Sequence, residues 1–279
     1  MRVISIVTLL ALGAASVVQA ADDPKRELLQ PPKSEIPSPI TDRFALSGIF
    51  TMGTVSTDVR YDQSQLVSGT TFRAENLLGL DDRISKGSIA MMFRLAERGR
   101  VTVDYLKLTR HGDAVLNQPV IIGDTTYLVS DHLLTDLDLR ILGFTFGYSF
   151  LKTERFELGG GLGIRIGQAG GAGEVPARRL RDSFDGVAAL PTLSVDGTWR
   201  FTKRFSFNAR VQYFALNTGG VAGSLANLHG DVQFRAWKNL AVGAGYSKLQ
   251  VLVNSTDPGN SGRLDFQVKG PELFLRASF

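Results

Sequence analysis

Residues 156–166 read FELGGGLGIRI, in which Phe156, Leu158, Gly160, Leu162, Ile164 and Ile166 alternate with Glu157, Gly159, Gly161, Gly163 and Arg165. Successive side chains of a β-strand point to opposite sides, so a period of two marks a strand with two unlike faces. The same alternation recurs on both sides of this stretch. Ile89, Met91, Phe93 and Leu95 interleave with Ser88, Ala90, Met92 and Arg94, and Phe205, Phe207, Ala209, Val211 and Tyr213 with Ser206, Asn208, Arg210 and Gln212. Ten segments read this way, at about 44–60, 86–96, 100–111, 134–151, 156–166, 188–201, 204–216, 224–237, 239–253 and 263–279. The chain is therefore expected to be all-β.

The connections between these segments alternate in length. Short charged turns, AERGR (96–100), KTER (152–155), TKR (202–204) and KN (238–239), are separated by long stretches at 62–85, 111–133, 167–187 and 255–262. Short turns at one end and long loops at the other are the pattern of a membrane-spanning barrel. Aromatics beside the short turns (Phe93, Tyr148, Phe150, Phe156, Trp199, Phe201, Phe205, Trp237) suit the headgroup level of a bilayer. An even count of ten closes such a barrel with both ends on the short-turn side, and eight or twelve strands are the alternatives, because 118–129 can form an extra hairpin. Several strands change apolar phase partway, as where Leu137, Leu139 and Ile141 give way to Leu142, Phe144 and Phe146. β-Bulges are expected at those points and beside Gly270-Pro271.

Composition supports export. The 279 residues contain no Cys, 30 Gly and 17 Phe, with 43% hydrophobic content. Without Cys there is no disulfide and no thiolate metal site or nucleophile. A formal charge of +4 gives no expectation of a nucleic-acid partner. Residues 1–20 read as a secretory signal peptide, with Arg2 ahead of an apolar run and small residues before Ala21. Residues 21–41 read as a proline-rich periplasmic tail, which leaves 42–279 for the barrel.

The last residues, Gly270 to Phe279, place apolar side chains at alternate positions back from a terminal aromatic. Here the chain resembles Gram-negative outer-membrane β-barrel proteins. The resemblance implies a closed antiparallel transmembrane β-barrel in the cell outer membrane. It also implies an assembly signal at Gly270, Leu273, Leu275 and Phe279, read by the barrel-assembly machinery, although Val268 stands where that signal carries a polar residue. Outer-membrane lipid and lipopolysaccharide are the partners implied.

If the apolar face meets lipid, the other face lines the lumen. The expected lumen network is Arg94, Asp104, Asp136, Asp138, Arg140, Glu157, Arg165, Asp196, Arg200, Arg210, His229, Asp231, Arg235, Glu272 and Arg276, seven charges of each sign apart from the histidine. Balanced charges in a narrow barrel pair into a filling more readily than they line a single-sign pore. Inward glycines at 159, 161, 163, 243 and 245 leave room, so a narrow solute channel is the alternative. A second alternative is a hydrolase at the rim, where His111 and His132 lie near Asp113, Ser130 and Asp131. The phosphate-loop, HExxH and EF-hand patterns are absent, as is the His-x-Ser pattern of a barrel lipid A deacylase. The expectation is a structural or surface-interaction protein with no catalytic residues, metal or cofactor.

Overall fold

The computed structural model describes residues 39–61, 71–122, 125–218, 220–255 and 262–279. The signal peptide and residues 21–38 of the tail lie outside the described residues. Ten long strands form the wall: β1 (Phe44–Tyr61), β3 (Arg83–Arg94), β4 (Gly99–Val115), β7 (His132–Lys152), β8 (Phe156–Val175), β9 (Leu180–Trp199), β10 (Phe205–Thr218), β11 (Val221–Arg235), β12 (Leu240–Ser255) and β13 (Gly262–Ser278). Each pairs antiparallel with its neighbours, and β13 pairs back onto β1 from Ala45↔Ser278 to Tyr61↔Gly262, which closes the sheet. Closure is what lets strands enter a bilayer, because an open edge would leave backbone groups unpaired in hydrocarbon. The short strand β2 (Thr71–Arg73) adds to β1, and β5 (Val120–Ile122) and β6 (Thr125–Tyr127) form the extra hairpin that 118–129 allowed. One short helix, α1 (Ala74–Leu78), precedes β3 and ends at Gly79, whose φ of 63° is the left-handed region that glycine enters without strain.

About 9–11 tilted residues cross a bilayer, and the ten strands run from 12 to 21. The surplus projects beyond the membrane at the long-loop end, which is the extracellular end of such barrels.

The expected bulges at the phase changes are absent. β4 and β7 pair in one unbroken register from Gly99↔Tyr148 to Val115↔His132, and along β7 the odd-numbered residues face inward from Leu133 to Ser149. What changes is the solvent outside the wall. Near the short turns the outward residues are apolar: Phe144, Phe146, Tyr148 and Phe150 of β7 are all exposed. Further up, on the same outward face, stand Arg140, Asp138 and Asp136, while Leu137, Leu139 and Ile141 turn inward. Charges are costly against lipid and cheap against water, so the pleat continues while the polarity of its two faces reverses. β13 repeats this: Leu273 and Leu275 face out below, and Val268 is buried inside with Phe266 above. Around Gly270-Pro271 the β1–β13 ladder pauses between Thr51↔Glu272 and Thr54↔Lys269 and resumes in the same register. A Cβ at Gly270 would run into the Met52 carbonyl, so glycine there permits the close approach of the closing strands. The register shift along the β7–β8 ladder lies between Ser149 and Leu151, next to a short turn.

The 167–187 stretch is a second correction. It is strand for most of its length, because β8 and β9 continue as a paired ladder to Val175↔Leu180 and turn through a single 3-10 turn at Pro176–Arg178. The aromatics near the short turns form a band of touching rings: Phe93, Phe44 and Phe279 on one side, and Trp199, Phe201, Phe205 and Phe234 on the other, with neighbouring centroids 4.9–6.3 Å apart.

Candidate functional site: the layered lumen

The lumen is built in layers, beginning at the periplasmic end. The segment before β1 turns into the barrel mouth, so that Ile40 and Asp42 are buried. Asp42 Oδ2 accepts from Arg235 Nη2 at 2.6 Å and lies 3.9 Å from Arg276 Nη2, while Arg235 Nη1 also donates to Ser278 Oγ at 3.0 Å.

Above this lies a belt of ion pairs that crosses the barrel. Arg94 on β3 reaches Glu157 on β8 through two parallel bonds of 2.7 and 3.0 Å, the bidentate geometry that gives guanidinium–carboxylate pairs their strength. Arg100 on β4 joins the same carboxylate at 3.3 Å and also binds Asp196 on β9. Arg165 on β8 bridges Asp104 on β4, at 3.0 Å, to Gln212 on β10, at 2.6 Å. Across the lumen, His229 stands between two carboxylates, with Nε2 2.9 Å from Asp231 and Nδ1 3.0 Å from Glu272. Glu272 also accepts from Ser247 at 2.5 Å and Thr51 at 3.0 Å. The inward glycines do not leave the room expected of them: Arg100 lies against Gly147 and Gly159, and Phe274 against Gly243. A cavity of about 250 Å³ remains, lined among others by Arg165, Asp196, Arg210, His229, Glu272 and Arg276.

Apolar layers follow. Ile141 on β7 packs with Leu225 on β11 and Leu249 on β12, strands on opposite sides of the wall, so this cluster spans the lumen. Val55, Ile84, Leu108 and Val268 form a neighbouring cluster with Leu139 and Phe266. At the top, Ala74, Leu77 and Leu78 of α1 pack with Leu80, Leu116, Tyr127, Leu133 and Val175 into a lid. Burial pushes the Tyr127 phenol up, and its hydroxyl donates to the Gly173 carbonyl at 2.7 Å. The lid is pinned by Arg110, whose Nη2 lies 2.8 Å from Glu75 Oε1, while the Thr57 amide donates to Glu75 Oε2 at 3.0 Å. Burial alone would raise the Glu75 carboxyl, but the Thr57 amide and the Arg110 guanidinium outweigh it and hold the group below the usual carboxylate range.

Arg94, Asp104, Glu157, Arg165, Asp196, His229, Asp231, Arg235, Glu272 and Arg276 thus meet inside the wall in the groupings above, and Arg210 faces inward between Asp196 and His229 in the register. Four expected members stand elsewhere. Asp136, Asp138 and Arg140 are on the outer wall above the apolar belt, where water meets their charges; Asp136 contacts His111 and Asp138 accepts from Thr109. Arg200 lies past the end of β9, in a periplasmic turn. Sequence reasoning missed Arg100, Asp42, Lys86 and the Arg110–Glu75 pair. The strict alternation on β3 and β4 puts Lys86, Arg100 and Arg110 on the lumen face, so that signal was present for all three. Of the assembly-signal residues, Gly270 faces inward, Leu273 and Leu275 face lipid, and Phe279 sits exposed at the periplasmic rim, its amide donating to the Phe44 carbonyl at 2.9 Å.

The rim residues do not assemble the expected Ser/His/Asp grouping. Asp131 is buried and binds Arg178 at 2.5 Å, whereas His132 points outward to Asp113, also at 2.5 Å, so Ser130, Asp131 and His132 are not a triad.

No protein-family model matches the chain, and no curated protein matches it in sequence. Among solved structures it is similar to the outer membrane protease OmpT from Escherichia coli, at 10% identity over 84% of this chain and 97% of that one, with a TM-score of 0.54. It also matches a Pseudomonas aeruginosa FadL homologue (9% identity, 85% and 90% covered, TM-score 0.38) and Ail, the attachment invasion locus protein of Yersinia pestis (10%, 82% and 98%, 0.35). At these identities the likeness is one of fold.

Proposed function

Starting from an integral outer-membrane β-barrel of ten strands, we propose that the chain is a non-conducting surface protein, structural or interaction-type and without catalysis, whose upper half stands in water as a packed β-barrel. The observation that carries this reading is the cross-lumen packing of Ile141 against Leu225 and Leu249, directly above the ion-pair belt. An apolar layer of this kind has nothing to offer a hydrated ion, and a buried cation–carboxylate network holds no single-sign path. The cavity of about 250 Å³ lies within the ion-pair belt and reaches Leu249 of this apolar layer.

The test is conductance of the refolded protein in planar bilayers. The expected result is no unitary current at physiological salt and moderate voltage. Stable, reproducible unitary steps would overturn the reading in favour of the channel.

A further inference from the structure

The outer wall carries a second feature that neither lumen nor lid uses. Going up β4, the outward residue after Tyr105 is Lys107; going up β7, the one after Leu142 is Arg140. These two basic residues are directly opposite each other in the register. The arrangement repeats elsewhere on the wall. On β12 the outward residue after Tyr246 is Lys248, on β13 the one after Pro271 is Lys269, and these two are again direct partners. Lys107, Arg140 and Lys269 are exposed and Lys248 is half-buried.

Side chains directly opposite across an antiparallel pair have Cβ atoms about 4.5–5.5 Å apart, and like charges placed so are destabilising. Here none of the four has a carboxylate within ion-pair distance among the described residues. The acids come further out, at Asp138 and Asp136 on β7, Asp113 on β4 and Asp265 on β13. Both pairs therefore sit at the upper edge of the apolar belt, each beside an outward tyrosine, at the level where the headgroups of the outer leaflet begin. A phosphate presents several acceptor oxygens and a formal charge that two adjacent cations can share.

We propose that Lys107–Arg140 and Lys248–Lys269 are two seats on the outer wall for phosphate groups of the outer-leaflet glycolipid, lipopolysaccharide. Phosphate relieves the repulsion within each pair, and the tyrosine beneath packs on the first acyl segment. The inference goes beyond the non-conducting reading and is independent of it, since a barrel that conducts has the same outer wall.

The test uses the full-length mature protein folded in neutral detergent, with the temperature at which the compact gel form is lost as the readout. Purified bisphosphorylated lipid A added to the micelles is expected to raise that temperature, and dephosphorylated lipid A is not. Lys107→Gln with Arg140→Gln, or Lys248→Gln with Lys269→Gln, is expected to remove part of the shift, and the four substitutions together all of it. Without lipid the four-fold variant is expected to melt at the wild-type temperature or above, because a like-charge repulsion has gone; this outcome also shows that it folds. A full shift retained in the four-fold variant, an equal shift with dephosphorylated lipid A, or an equal shift with inorganic phosphate alone would overturn the proposal.

Discussion

Glu75 shows how a single side chain ties sequence to architecture. It sits in a five-residue helix too short to be stable alone, and its carboxylate receives the Thr57 amide and the Arg110 guanidinium inside an apolar lid. Removing one partner of a buried pair leaves the other charge unpaired, at about 3–5 kcal/mol. Glu75→Gln is therefore expected to loosen the lid, measured as faster protease cleavage within 71–82 of the detergent-folded protein. The pH dependence has a definite sign. A carboxyl whose folded pKa lies below its unfolded value contributes stability that is complete above the unfolded value, near 4.5, and lost as pH falls through the folded one. Lid cleavage by an acid-stable protease should accordingly rise on acidification below about pH 4.5 in the wild type and stay flat in Glu75→Gln. Nothing in the spacing of residues 72–82 marks Glu75 as Arg110's partner, since that contact depends on where the loop folds back.

At the scale of the strand, most of the architecture is legible from alternation alone. The segment read at 204–216 is strand from Phe205 to Thr218, and the short turns fall where the charges cluster. Two things are hidden from a period-two reading. Glycines at 167, 170, 171 and 173 look like loop, yet β8 continues through them to Val175, because backbone ladders need no side chain. The apolar phase change on β7 looks like a register slip, yet it records a change of solvent along an unbroken pleat. A charge scan up one face of β7 separates these readings. Phe146→Arg, against lipid, is expected to cost about 2–4 kcal/mol near the bilayer centre. Asp138→Arg, on the same face but above the belt, is expected to stay within about 0.5 kcal/mol. Unfolding in urea from lipid micelles measures both, and a cost at Asp138 equal to that at Phe146 would restore the bulge.

At the scale of the whole molecule, the chain is one closed wall with two opposite interiors. Its lower half is apolar outside and ionic inside, and its upper half is ionic outside and apolar inside. Which strands confront each other across the lumen follows from closure, so the Arg94–Glu157 and Arg100–Asp196 partnerships could not be read from the sequence, although the inward side of each residue could. Because the chain has no Cys, single cysteines carrying a spin label can be placed at will, and the accessibility of such labels to oxygen and to a water-soluble relaxant along β7 tests the reversal most directly. The account predicts oxygen-rich, water-poor surroundings at 144, 146 and 148, the opposite at 136, 138 and 140, and low access to both reagents at 137, 139 and 141. Oxygen-rich surroundings at 136–140, or free access of the water-soluble reagent at 139 and 141, would contradict it.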